Sequence, residues 1–321
     1  MHYSSFDIER KRVAKSARVI GWKQTKHFMC ISIQEIKENA RGDFCGKRSG
    51  YKTKKHIYYS LVLDFIDKEK RMCFKNKNRC LLVCDIDGTL YHPQDFHPGL
   101  KEFNDFILEN QENIIFVLNS GRNLTDIALV AQNGPIIRPD WLITSVGTNI
   151  YSSFSPLSFD DEWIKQSEKP WVRDEIENVL KSCKNLEMQE LEHQDPGKLA
   201  YYSTVSLGSI LPTILSLVEP WKKEIKIISS FDYYLDIVPP WGGKGGAIKF
   251  LAQKLSIPFS QVIVAGDSGN DLDMLDNEFK SIVVSNYTPE LEGFVKKGKA
   301  FCASKPAALG VLEGLAYCGL R

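Results

Sequence analysis

An apolar run, Leu81-Leu82-Val83-Cys84, ends on Asp85-Ile86-Asp87-Gly88-Thr89. A short continuous apolar run that stops at a turn signal reads as a strand buried on both faces, the kind found inside a parallel sheet. Side chains two residues apart on an extended chain point to the same side. Asp85 and Asp87 therefore leave the strand as a pair, suited to a nucleophile and a proton donor around one divalent cation. Gly88 permits a sharp turn there, and Thr89 adds a hydroxyl where the chain leaves the sheet.

The pattern downstream alternates. Strands are expected over 81–86, 114–118 and 141–146, with helices over 99–110 and 124–132 between them. Strand–helix alternation of this length implies parallel βαβ units, whose ligands bind beyond the carboxyl ends of the strands. The stretch 153–234 reads differently. It offers helices over 171–183 and 209–218 and strands over 186–191, 199–205 and 225–229, as a separate α+β insertion would. The first pattern resumes with a helix over 244–255, strands over 262–265 and 281–284, and a final helix from Pro306. The fold class is thus α/β, with a core of 77–152 and 235–321 and an inserted domain of 153–234.

Charge sets the first residues apart. The net charge of +1 hides a balance of +12 in residues 1–80 and −11 in the remainder. Residues 1–76 read as a loosely ordered basic extension. An anionic partner such as nucleic acid stays open for it, but no basic–aromatic motif of a binding module accompanies the charge. The 8 cysteines form no CxxC pair and no zinc-ligand spacing, which fits free thiols in a reducing cytoplasm. No apolar run approaches the roughly 18 residues of a membrane helix, and no apolar segment follows the N-terminal basic residues as a secretory signal requires.

Four elements, each at an expected strand exit or helix start, carry the chemistry. They are Asp85-x-Asp87, Asn119-Ser120-Gly121-Arg122, Gly243-Lys244-Gly245 and Gly266-Asp267-Ser268-Gly269-Asn270-Asp271. Phosphoryl transfer needs positioning and charge neutralisation above all, and Mg²⁺ takes a few carboxylates and waters in an all-oxygen shell. Asp85 and Asp267 supply carboxylates, and the Asp87 carbonyl supplies a third oxygen. Ser120 and the Gly121 amide suit the phosphoryl oxygens. Lys244 is a point positive charge at a helix start, and Asp271 would steady Lys244 or the metal's waters. Asp85 is then the nucleophile, and Asp87 the acid and later the base.

This ordered set resembles the haloacid dehalogenase (HAD) superfamily of phosphatases. The long insertion is similar to the large α+β cap of its type IIB members, set into a Rossmann-like core. Asp140-Trp141-Leu142-Ile143-Thr144-Ser145-Val146-Gly147-Thr148-Asn149-Ile150-Tyr151, Lys198-Leu199-Ala200-Tyr201-Tyr202 and Asp236-Ile237-Val238-Pro239 resemble the sucrose-phosphate phosphatase-like family. The second motif departs from that family's usual Ser-Thr-Gly-Arg-Ser but keeps the hydroxyl of Ser120.

The resemblance implies a Mg²⁺-dependent phosphatase of a sugar phosphate. Its metal set would be Asp85, Asp87, Asp267 and Asp271. Gly121, Arg122, Thr148, Asn149 and Lys198 would meet the substrate. A phosphohexomutase of the same superfamily, and a binding or regulatory role for the basic extension, are the alternatives. The expected partner is a small sugar phosphate, and the expected state a monomer or homodimer.

Overall fold

The computed structural model describes residues 79–91, 99–133, 136–153 and 157–320. The readings that concern residues 1–76 lie outside these. Residues from Lys77 on form one compact unit.

The apolar run becomes strand β1 (Cys80–Cys84), buried along its whole length. It is paired in parallel with β2 (Ile114–Asn119) on one side and β10 (Val262–Gly266) on the other. Beyond β2 the sheet continues through β3 (Trp141–Thr144), β4 (Asn149–Ser152) and β5 (Ser158–Phe159). Beyond β10 it continues through β11 (Lys280–Val283) and β12 (Phe301–Cys302), making eight strands among the described residues. β1 is where the winding changes direction, so the crevice at its carboxyl end is the natural ligand site. Cys84 pairs with Ala265, and the Asp85 amide donates to the Ala265 carbonyl at 3.0 Å. The exits of β1 and β10 thus lie side by side, bringing Asp85 next to the loop that carries Asp267.

The expected strand over 141–146 stops at Thr144. Ser145, Val146 and Gly147 have φ of 52°, 57° and 81°. A left-handed β-branched residue such as Val146 is a backbone outlier that surrounding structure must hold in place. Three bonds do so: Ser145 N to Arg122 O at 2.9 Å, Val146 N to Ser120 O at 3.2 Å, and Gly243 N to Val146 O at 3.1 Å. A Cβ on Gly147 would lie 2.2 Å from the Gly243 carbonyl oxygen, so only glycine fits. The turn therefore stitches the second motif to the loop before Lys244, and the chain reverses into β4, antiparallel to β3.

The inserted domain is a four-stranded antiparallel sheet in the order β6 (Leu186–Met188), β7 (Leu199–Ser203), β9 (Tyr234–Val238), β8 (Lys226–Ser230). The helices Arg173–Leu180 and Leu207–Val218 cover one face. Ile176, Leu180, Ile210 and Ile214 pack there on Leu199, Tyr201, Leu235 and Ile237.

Both expected boundaries of the insertion move. β5 and the helix Asp161–Ser167 belong to the core, with β5 on the core sheet and Trp163 in the main hydrophobic cluster. β9 belongs to the cap sheet, although four of its five residues lie past 234. The cap body runs from about Trp171 to Val238. No helix among the described residues is long and apolar enough to cross a membrane.

Candidate active site

Lys244 opens the helix Lys244–Lys254 and is fully buried. Its Nζ donates to Asp85 Oδ1 and to Asp271 Oδ1, both at 2.6 Å, and more weakly to Asn270 Oδ1 at 3.3 Å. The other Asp271 oxygen accepts from the amides of Asp267 (2.9 Å) and Ser268 (3.1 Å). Asp271 is thus held on both oxygens, fixing the loop after β10 and Lys244 together. Thr89 Oγ1 donates to Asp267 Oδ1 at 2.7 Å, so the turn after β1 grips the carboxylate after β10. Gly88, at φ 83°, lets the two approach: a Cβ there would lie 2.2 Å from Asp267 Oδ2.

The electrostatics of the cluster are unbalanced. Burial pushes the carboxyls of Asp85 and Asp267 well above the usual range. Asp271 raises both further, and Lys244 only partly offsets the rise. Burial opposes the charge on Lys244, but Asp271 and Asp85 outweigh it and keep the ammonium above its ordinary range. One lysine thus faces three buried carboxylates. Asp85, Asp267 and Asp271 each offer an oxygen, all within 4.8 Å of one another. An all-oxygen, negatively charged, dry donor set of this kind fits Mg²⁺.

Asp87 lies at the rim. Arg122 clamps its carboxylate with both nitrogens of one edge, Nε to Oδ2 at 2.6 Å and Nη2 to Oδ1 at 2.8 Å. The fork geometry fixes the carboxylate's plane as well as its place. Ser120 is buried, and its Oγ accepts from the Arg122 amide at 3.2 Å. Gly121 follows it, facing Asn270 across the site. Asn123 reaches the other way: its Nδ2 donates to the Glu192 carbonyl in the cap at 2.9 Å.

The remaining expected contacts form a second group. Asn149 opens β4, and its Nδ2 donates to Asp195 Oδ2 at 2.7 Å. Thr148 Oγ1 reaches Asp195 Oδ1 at 3.4 Å, and the Gly197 amide donates to that oxygen at 3.0 Å. Asp195 thereby ties a cap loop to the core. Lys198 Nζ lies 3.6 Å from Asp236 Oδ1, an oxygen with no hydrogen-bond partner. Asp236 also feels the charge of Lys244. Trp241, beside the Lys244 loop, packs edge-on against Trp163 at 5.9 Å and against Gly197, so it fills space under the cap loop.

Asp195, the partner of Asn149, escapes a reading of the sequence because the two are 46 positions apart. Asp236 left a signal: it is the one acid inside the apolar run 235–238.

The profile of sucrose-6F-phosphate phosphohydrolase matches residues 78–319. The chain belongs to this family. Family membership covers the core and the cap and begins where the basic extension ends. A probable sucrose-phosphatase 3a of Arabidopsis thaliana is 30% identical over 259 residues, covering 74% of this chain and 59% of that one. The mannosylfructose-phosphate phosphatase of Agrobacterium fabrum is 28% identical over 249 residues, covering 75% of this chain and 97% of that one. The chain thus spans about three fifths of that plant relative and nearly all of the bacterial one.

Among solved structures, the sucrose-phosphatase of Synechocystis sp. PCC6803, in complex with sucrose and phosphate, superposes with a TM-score of 0.70 at 23% identity. It covers 75% of this chain and 98% of that one. A HAD subclass IIB sugar phosphatase superposes at 0.56 and 12% identity, covering 75% and 100%. The HAD-like core with its inserted cap, expected from the four motifs, is the fold of this family.

Proposed function

We propose that the chain is a Mg²⁺-dependent phosphatase that hydrolyses a sugar phosphate through an aspartyl-phosphate intermediate. The observation that carries the reading is the buried Asp85 carboxylate, pinned by Lys244 among Asp267 and Asp271, with Asp87 clamped beside it. The family and its relatives, a sucrose-phosphatase and a mannosylfructose-phosphate phosphatase, support the substrate class.

Asp85 and Asp267, with the Asp87 carbonyl, would hold the metal, and Asp271 would position Lys244 beside it. A bound Mg²⁺ supplies charge that neutralises the phosphoryl oxygens and the crowded carboxylates. The residues of the chain do the rest. Lys244, Ser120 and the Gly121 amide bind the non-bridging oxygens and orient the phosphoryl group. Asp85 attacks phosphorus, and the bond from phosphorus to the sugar oxygen breaks. Asp87, ionised while Arg122 donates to both its oxygens, takes up a proton before it gives one to that oxygen. It then takes a proton from the water that attacks the phosphoryl group, releasing phosphate and free Asp85. Arg122 keeps the Asp87 carboxyl in place at the rim. Thr148, Asn149 and Lys198 lie on the sugar side, where the cap meets the core.

Phosphate release from a panel of sugar phosphates tests the reading. Release is expected with Mg²⁺, is lost by more than about 100-fold in EDTA and returns when Mg²⁺ is added back. Release that ignores EDTA would remove the metal from the account. An isomerised sugar phosphate as the product, in place of free phosphate, would make the chain a mutase.

A further inference from the structure

Two core carboxylates outside the candidate metal set share one arrangement. Asp273 stands in the short helix Leu272–Leu275, just past Asp271. Its Oδ2 accepts from the Gly245 amide at 2.7 Å, and its Oδ1 accepts from Lys226 Nζ of cap strand β8 at 3.3 Å. Glu290 stands in the turn Pro289–Leu291, after β11. Its Oε2 accepts from the Gly269 amide and from Thr288 Oγ1, both at 3.0 Å. Its Oε1 accepts from the Asp232 amide, in the turn that joins β8 to β9, also at 3.0 Å.

Each acid thus sets one oxygen on a loop of the candidate active site and the other on the same cap hairpin. The loops differ. Gly245 follows Lys244, and its amide lies in the first turn of a helix, where no intrahelical acceptor exists. Asp273 supplies the missing acceptor, and a charged one makes the stronger bond. Gly269 sits between Asp267 and Asp271. Thr288, beside Glu290, also donates its amide to the Asp267 carbonyl at 2.8 Å.

The fit leaves no slack at either point. A Cβ on Gly245 would lie 2.1 Å from the Asp273 carbonyl oxygen. A Cβ on Gly269 would lie 2.4 Å from the Ser229 carbonyl oxygen of β8 and 2.9 Å from Glu290 Oε2. The hairpin therefore rests on the loop that carries Asp267 and Asp271. Phosphoryl transfer by positioned charges is sensitive to displacements of an ångström or less, so what fixes these loops bears on the rate.

We propose that Asp273 and Glu290 are positioning residues that tie the place of Lys244 and of the Asp267–Asp271 loop to the seat of the β8–β9 hairpin. The cap holds one oxygen of each acid, and the other oxygen then sets its loop. The inference rests on the phosphatase reading and deepens it, by giving two named side chains through which the cap acts on the reacting groups.

Lys226→Met, Asp273→Asn, their double variant and Glu290→Gln test it in the full chain. Each single change is expected to lower kcat about fivefold, with KM within about twofold of the original. Lys226 also donates to the Gly242 carbonyl at 2.9 Å, so the double variant isolates the route through Asp273. Its kcat is expected to fall by no more than about tenfold, against about 25-fold for independent effects. Amide exchange read by mass spectrometry follows the ties without turnover. Exchange over 243–248 is expected to rise about tenfold in Lys226→Met, although the changed residue lies in the cap, and exchange over 266–271 to rise likewise in Glu290→Gln. Unchanged kcat, independent effects in the double variant, or exchange that stays the same or rises evenly along the chain would overturn the ties. Local exchange changes in a chain that releases phosphate from no sugar phosphate would overturn the phosphatase reading and leave the ties standing.

Discussion

Asp85→Asn is expected to abolish phosphate release, lowering kcat by about a thousandfold or more, while leaving the fold intact. The amide is isosteric and keeps an oxygen at the position where Lys244 Nζ donates at 2.6 Å. Burial already opposes the charge on Asp85, and Asp271 and Asp87 add repulsion. Removing that charge relieves crowding, so the variant is expected to melt at or slightly above the temperature of the original in metal-free buffer. What the variant lacks is the nucleophile: a neutral amide cannot form the acyl phosphate. Steady-state phosphate release beside a thermal melt checks both halves. Turnover that survives in the folded variant would place the nucleophile elsewhere.

Lys244→Met is expected to act on stability as well as on turnover. Lys244 is fully buried, as is Asp271, and Asp85 is nearly so. Deleting one partner of a buried ionic set leaves the others uncompensated, which costs about 3–5 kcal/mol. In a unit of this size that lowers the melting temperature by roughly 10 °C. Turnover is expected to fall by at least about 100-fold through loss of charge at the phosphoryl group.

The stability deficit carries a pH signature. Without the lysine, the buried carboxyls titrate above their unfolded values, so the folded state binds more protons than the unfolded one. Stability then rises as pH falls through the window between the ordinary carboxylate range and the raised values. Melts of the variant in metal-free buffer are therefore expected to converge on those of the original at the acid end of that window. A variant as stable as the original across the range would mean that Lys244 is not what holds the two acidic loops together.

These effects trace back to what could be read along the chain. Asp85, Ser120, Lys244 and Asp267 each follow a strand or open a helix with a periodicity strong enough to place them at one end of one sheet. Strand order and register then did the rest, setting Cys84 against Ala265. The hairpin of β3 and β4 was not legible. It depends on a left-handed run at Ser145 and Val146, whose amides are held by the carbonyls of Arg122 and Ser120, far back in the chain. The edge of the cap was misplaced because Leu235-Asp236-Ile237-Val238 has the near-continuous apolar character of a core strand, and nothing local says which sheet it joins. The clamp of Asp87 by Arg122 and the tie of Asn149 to Asp195 join side chains 35 and 46 positions apart. Patterns of period 2 or 3.6 carry no trace of such pairs.

The central claim, that Asp85 becomes phosphorylated and Asp87 governs the release of the phosphoryl group, has a direct test. An aryl phosphate has a leaving group that needs no protonation, so an Asp87→Asn variant is expected to form the acyl phosphate and to hydrolyse it slowly. Acid quenching of that variant during turnover, followed by peptide mass mapping, is expected to find a phosphoryl group on Asp85 in a substantial fraction of the chains. No such modification while the original chain turns over the same substrate, or a phosphoryl group on any other residue, would contradict the account.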